Sequence, residues 1–226
     1  MSTNMLKLLA ALQHGDSFFP SGGFAFSNGL EGLQDDGRVV GAEDVEKVVG
    51  EQIIGRWASC DRAFIAAAHD AADLDAIAAL DRRLEAMTLP RELRDGSHRN
   101  GAALLRVHAE LGTPRATEYR AVVRTDEAPG HLAIVQGLVL AGVSLLRDES
   151  LVVAAHSFAV GLLASAVRMG LIGHVAAQAA LGRLHAVIDA ALATPLPTPE
   201  TAYAFTPVTE IALMRHEVST RRLFAN

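Results

Sequence analysis

The sequence predicts an all-α protein, a single-domain bundle of roughly eight to ten helices, from its composition and its periodicity. Half of the 226 residues are apolar while only 5% are aromatic, and much of the apolar content is alanine, which favours helix and adds little β-propensity. Apolar residues also recur at steps of three and four along most of the chain, the spacing of one helical face. A chain of this length can bury a sizeable core.

The first element is a short helix over Met5 to Gln13, with Leu6, Leu9 and Leu12 three apart. Asp16-Ser-Phe-Phe-Pro-Ser-Gly-Gly-Phe-Ala-Phe-Ser-Asn-Gly-Leu-Glu31 follows, a loop in which Pro20 and the Gly22–Gly23 pair break regular structure. Its glycines suit positive-φ turns, and Phe18 and Phe24 are expected in the core. A long helix comes next, striped by Val45, Val49, Ile53, Trp57, Cys60, Phe64 and Ala67, with Asp44, Lys47 and Glu51 toward solvent. Two further helices span Asp73 to Met87 and Pro90 to Leu111, Pro90 being tolerated in a first turn. Gly112-Thr-Pro114 closes the second of them, and Arg115 to Arg124 is a short element of open type before the turn at Glu127 to Gly130.

Three helices are read over His131 to Leu146, Ser150 to Met169 and Leu171 to Ala193. Leu151 to Val167 is nearly free of polar residues. It is shorter than the roughly 20 residues a bilayer requires, so it is expected to be buried in protein. In the last helix Leu181, Leu184, Ile188 and Ala191 form a packed stripe beside a polar strip of Gln178, His185 and Asp189. Residues 1–193 are read as the helical body. Residues 194–226, part of the same domain, form a proline-rich linker and a C-terminal docking segment in which Pro207 opens a final helix.

A net charge of −6 and a pI near 5.8 speak against nucleic-acid binding and against docking on an anionic membrane. Cys60 stands alone, which excludes an intrachain disulfide and a multi-thiolate metal site. Met1 to Leu12 has no signal-peptide pattern, so a cytoplasmic location is expected. Ser21-Gly22-Gly23 lacks the lysine of a phosphate loop, and Phe26-Ser27-Asn28-Gly29 is no hydrolase elbow. No two of the nine histidines lie three or four residues apart, so local His-x-x-x-His metal sites are missing. Neither catalytic residues, nor metal ligands, nor a cofactor are expected from these patterns.

Three segments together resemble the UreF family of urease accessory proteins. Leu8-Leu-Ala-Ala-Leu-Gln13, Asp16-Ser17 and Pro20 to Glu31 are similar to its opening signature of leucine-rich helix, Asp-Ser, Pro-x-Gly-Gly/Ala-Phe and Ser-x-Gly-Leu-Glu. Arg168-Met-Gly-Leu-Ile-Gly-His-Val-Ala-Ala-Gln178 resembles its Arg-Leu-x-Pro-Leu-Gly-Gln-x-x-Gly-Gln junction, with Leu171, His174 and Ala177 departing from it. Met214-Arg-His-Glu217 and Arg222-Leu-Phe224 are similar to its closing tail, where Arg221 replaces the usual Ser. Arg94, Ser97 and Gly101 fall where the family tends to carry those residue types.

The resemblance implies a helical, non-enzymatic homodimer. It would bind the accessory protein UreD (also called UreH), recruit the GTPase UreG and help deliver nickel to the urease apoprotein. The partner-binding residues it points to are Pro20, Gly22, Gly23, Phe24, Ser27, Glu31, Arg168, Gln178, Met214, Arg215, His216, Glu217, Arg222, Leu223 and Phe224. Of these, the C-terminal segment is expected to be a tail that orders on its partner, with Phe224 as apolar anchor. If GTP hydrolysis is stimulated, Arg168, Arg94 and the tail arginines are the candidate fingers. A helical enzyme with a metal site assembled from distant His, Asp and Glu, and a membrane-associated helical protein, are the competing readings.

Overall fold

A computed structural model describes residues 2–20 and 26–217. The expectations that fall on Gly22, Gly23, Phe24, Arg222, Leu223 and Phe224 lie outside the described residues. Eleven α-helical segments and one π-helical segment are present among the described residues, and no strand. The fold is all-α.

Helix α1 spans Ser2–Gly15, α2 Leu30–Asp35 and α3 Ala42–Gln52. The chain then continues through a π-helical segment, Ile53–Asp61, into α4, Arg62–Asp70, so that the three pieces form one rod. The expected stripe of this rod is buried from Val45 to Phe64 but not at Ala67, where Ala68 is buried instead. The wider π-turn rotates the apolar face by the time it reaches α4. Helix α5 is Leu74–Met87, started by Asp73, whose carboxylate accepts from Ala76 N–H at 2.9 Å. Helix α6 is Arg91–Glu110, and the element of open type resolves as α7, Ala116–Arg124.

The next three helices differ from expectation at their ends. Helix α8 covers Leu132–Gly142 and stops short of Leu146, because Ser144 takes a φ of +64°. Leu146 N–H then donates to Glu149 at 2.7 Å, and α9 begins at once, Arg147–Arg168. It ends in a Schellman turn, with Gly170 at φ +73° and Leu171 N–H bonded to Ala166 C=O, so α10 starts at His174 and runs to Ala193. Helix α11 is Pro207–His216. The sequence pattern predicts no helix over residues 30–35, because six residues are too few for a periodic signal.

Helices α9 and α10 are both long and apolar enough to cross a membrane. In this fold α9 packs on α1, α10 and the α3–α4 rod, and 56% of its most apolar stretch is buried. The core contains Trp57, Phe64, Ile134 and Leu162 at its centre. Of the loop aromatics, Phe19 and Phe26 are buried, whereas Phe18, expected inside, is 91% exposed. Asp16 accepts from Phe18 N–H at 2.9 Å in a tight turn that turns Phe19 inward and leaves Phe18 outside.

Candidate partner-docking site

The segment Phe26–Glu31 is where the three recognised motifs meet. Asn28 and Gly29 have φ of +48° and +89°, which turns the chain abruptly into α2. Phe26 packs against Gly96 of α6, and its carbonyl accepts from Ser165 Oγ of α9 at 2.7 Å. Arg168 Nη2 in turn donates to Ser165 Oγ at 2.9 Å, and burial lowers its pKa. Gln52 of α3 donates to Asn28 C=O at 3.0 Å. Ser27 Oγ accepts from Glu31 N–H at 3.4 Å.

Helix α11 lies directly on this segment. A Cβ on Gly32 would sit 2.7 Å from Ala212 C=O, so only glycine allows α2 and α11 to approach so closely. His216 closes the contact: its Nδ1 is 3.0 Å from both oxygens of Glu92 on α6, and its Nε2 lies 3.3 Å from a Glu31 carboxylate oxygen. Glu217 Oε1 accepts from Arg91 N–H at 3.0 Å and so caps the N-terminus of α6. Arg215 pairs with Asp36 at 3.1 Å on the surface.

Ser27, Glu31 and His216, expected at a partner contact, are buried in this chain and tie α2, α6 and α11 together. The segment from Thr194 to Glu217 is no free tail. Arg62 of α4 donates to Ala191, Thr194 and Pro195 carbonyls at 2.6–3.4 Å, while Tyr203 and Phe205 N–H groups bond Ser59 and Gly55 of the π-segment. Residues 218–226 lie outside the described residues. Arg168 bonds Ser165 Oγ, and Arg94 is engaged by Glu85 and the Thr88 and Leu89 carbonyls. Pro20 and Gln178 are exposed, and Gln178, His185 and Asp189 all face outward from α10.

What the surface does offer is apolar. Helix α11 buries Thr209, Ala212, Leu213 and His216, and exposes Val208, Ile211 and Met214 on its other side, at 45–49%. Phe205, just before it, is 71% exposed, and α1 exposes Met5, Leu6, Leu8, Leu9 and Leu12. A cleft of about 170 Å³ opens between α1, α6 and α9, lined by His14, Phe19, Asn100, His108, Phe158 and Arg168 among others. Burial depresses the His108 pKa to about 4, helped by the nearby His14 ring.

The sequence reading missed the buried carboxylate Asp81. It accepts from Tyr119 O–H and from Gly130 and His131 N–H at 2.5–3.0 Å, and burial raises its pKa against those bonds. It also missed the convergence of Glu85, His98 and His131, residues 13, 33 and 46 apart in sequence. Burial pushes the Cys60 thiol up to about 12, which suits an inert core residue.

Comparison with known proteins agrees with the motif reading. A UreF family model matches residues 39–185. The urease accessory protein UreF of Actinobacillus pleuropneumoniae is 31% identical over 97% of this chain and 99% of its own length. The UreF proteins of Trichodesmium erythraeum and Haemophilus influenzae are each 28% identical, covering 100% and 99% of this chain and 100% and 97% of their own. The opening and closing motifs that clasp at α2 and α11 fall outside the stretch matched by the family model but inside these end-to-end alignments, and on both grounds the chain belongs to the UreF family of urease accessory proteins.

Proposed function

We propose that the chain is a cytoplasmic, non-catalytic, dimeric scaffold that joins UreD (UreH) to the GTPase UreG during nickel insertion into the urease apoprotein. Family membership supplies the context. The observation that carries the reading is the outer face of α11. Val208, Ile211 and Met214 are exposed on a helix whose opposite face is locked into the body by His216 and Glu217. A helix held rigidly while presenting apolar side chains loses little entropy on docking and has apolar area to bury.

The test is co-purification of the chain with UreD and UreG, with wild type compared to Ile211→Glu and Met214→Glu. The substituted side chains are half exposed, so thermal unfolding should stay close to wild type. Co-elution with UreD should fall at least tenfold, because a charge is then placed in the buried centre of the contact. Unchanged co-elution in both variants would remove α11 from the docking surface. Urease that reaches full activity in cells lacking this gene would remove the scaffold role itself.

A further inference from the structure

We propose that Glu85 of α5, His98 of α6 and His131, the residue before α8, form a binding site for one divalent first-row transition-metal ion. Glu85 Oε2 is 2.8 Å from His98 Nε2 and 2.8 Å from His131 Nε2, and the two nitrogens are 3.2 Å apart. Protons alone satisfy this triangle poorly. An ionised carboxylate only accepts, so if both imidazoles carry a proton at Nε2, two N–H groups face one another. If one does not, its lone pair faces the carboxylate. A cation satisfies all three atoms at once.

The dimensions fit such an ion. Placed about 2.1 Å from each ligand atom, it would see them at angles of about 84° to 99°, the near-right angles of one face of an octahedron. Two imidazoles and one carboxylate on a single face is a donor set suited to divalent iron, cobalt, nickel or zinc, with the remaining positions open. Solvent reaches those positions, since the Glu85 and His98 side chains are 36% and 29% exposed while His131 is 1% exposed.

The surroundings orient the ligands. His131 Nδ1 lies 3.0 Å from Ser97 Oγ, which also accepts from Leu132 N–H at 3.0 Å. Leu132 N–H takes one lone pair of the hydroxyl and the other is open to an Nδ1–H of His131; in that tautomer the Nε2 lone pair points into the site. Arg94 Nε binds the other oxygen of Glu85 at 3.2 Å, fixing the carboxylate. The His131 backbone is anchored to Asp81. These contacts come from three packed segments far apart in sequence, which is why no local ligand spacing announces the site. The proposal stands independently of the docking role of α11.

The experiment uses the full, tag-free chain, stripped with a chelator and titrated with cobalt(II) by calorimetry and visible absorption. One equivalent should bind with the weak absorption of a six-coordinate ion. Relative to wild type, His98→Ala and Glu85→Gln should weaken that binding roughly tenfold or more. His185→Ala, an exposed histidine on α10, should leave it unchanged. Because His98 and Glu85 are partly exposed, thermal unfolding should confirm that both variants remain folded. Absence of a stoichiometric site in the wild type, or equal affinity in folded His98→Ala, overturns the proposal.

Discussion

His108 shows what a single buried titratable side chain contributes. It lies on α6 with no measurable exposure, its Nδ1 bonded to Thr113 Oγ at 2.9 Å and its Nε2 without a hydrogen-bond partner among the described residues. Its ring stacks on His14, the titratable neighbour across the cleft, at 5.2 Å. Burial holds its folded pKa near 4 against an ordinary 6.5, so between those values the unfolded chain binds a proton that the folded chain refuses. Stability therefore declines as pH falls from about 6.5 to 4, and this one group contributes up to about 3 kcal/mol of the decline. Urea unfolding of wild type and His108→Gln across that range measures the difference. The variant curve should be flatter by about that amount, and parallel curves would show that His108 has no such role.

At the scale of elements, the segment from Thr194 to Glu217 is fastened where the sequence suggested freedom. Arg62 is the main fastener. Its guanidinium, buried in the rod, donates to the Ala191 carbonyl at the end of α10, which Thr194 also caps, and to the Thr194 and Pro195 carbonyls and Thr194 Oγ1. Arg62→Ala should cost about 1–3 kcal/mol in urea unfolding, since it removes a charged donor that bonds four acceptors, one of those bonds buried and the rest partly so. Arg62→Lys should recover less than half, because an ammonium cannot reproduce the planar fork. Full recovery by lysine would mean that charge alone matters. The proline-rich stretch from Thr194 was legible as a helix end but not as a clamped strap, because its partners lie 129 to 133 residues away. The same limit explains Glu31 and His216. Their motifs were legible as motifs, yet whether a motif faces a partner or its own fold depends on which residues meet across the chain. The existence of long helices, by contrast, was written locally, as the stripe of Val45 to Phe64 shows; what went unread was the six-residue α2 and helix ends such as Ser144, where a positive φ has no strong sequence signal.

For the molecule as a whole, the acidic, half-apolar composition finds its explanation in where the apolar residues end up. The core absorbs Trp57, Phe64, Ile134 and their neighbours, yet α1 still exposes five large apolar side chains, from Met5 to Leu12, and α11 three more. Isolated exposed leucines are ordinary on a protein surface, but a row of them along one short helix is an uncovered face. A net charge of −6 opposes non-specific clumping while leaving that face available, so association should be limited and specific. The isolated chain is accordingly expected to self-associate in a concentration-dependent way, with Leu6→Lys/Leu9→Lys shifting it toward monomer. Both leucines are more than half exposed, so the pair should barely change unfolding. Sedimentation velocity over a hundredfold range of concentration decides it. A wild type that stays monomeric throughout, or a double variant that associates as strongly as wild type, would mean that the α1 face is not where copies of this chain meet.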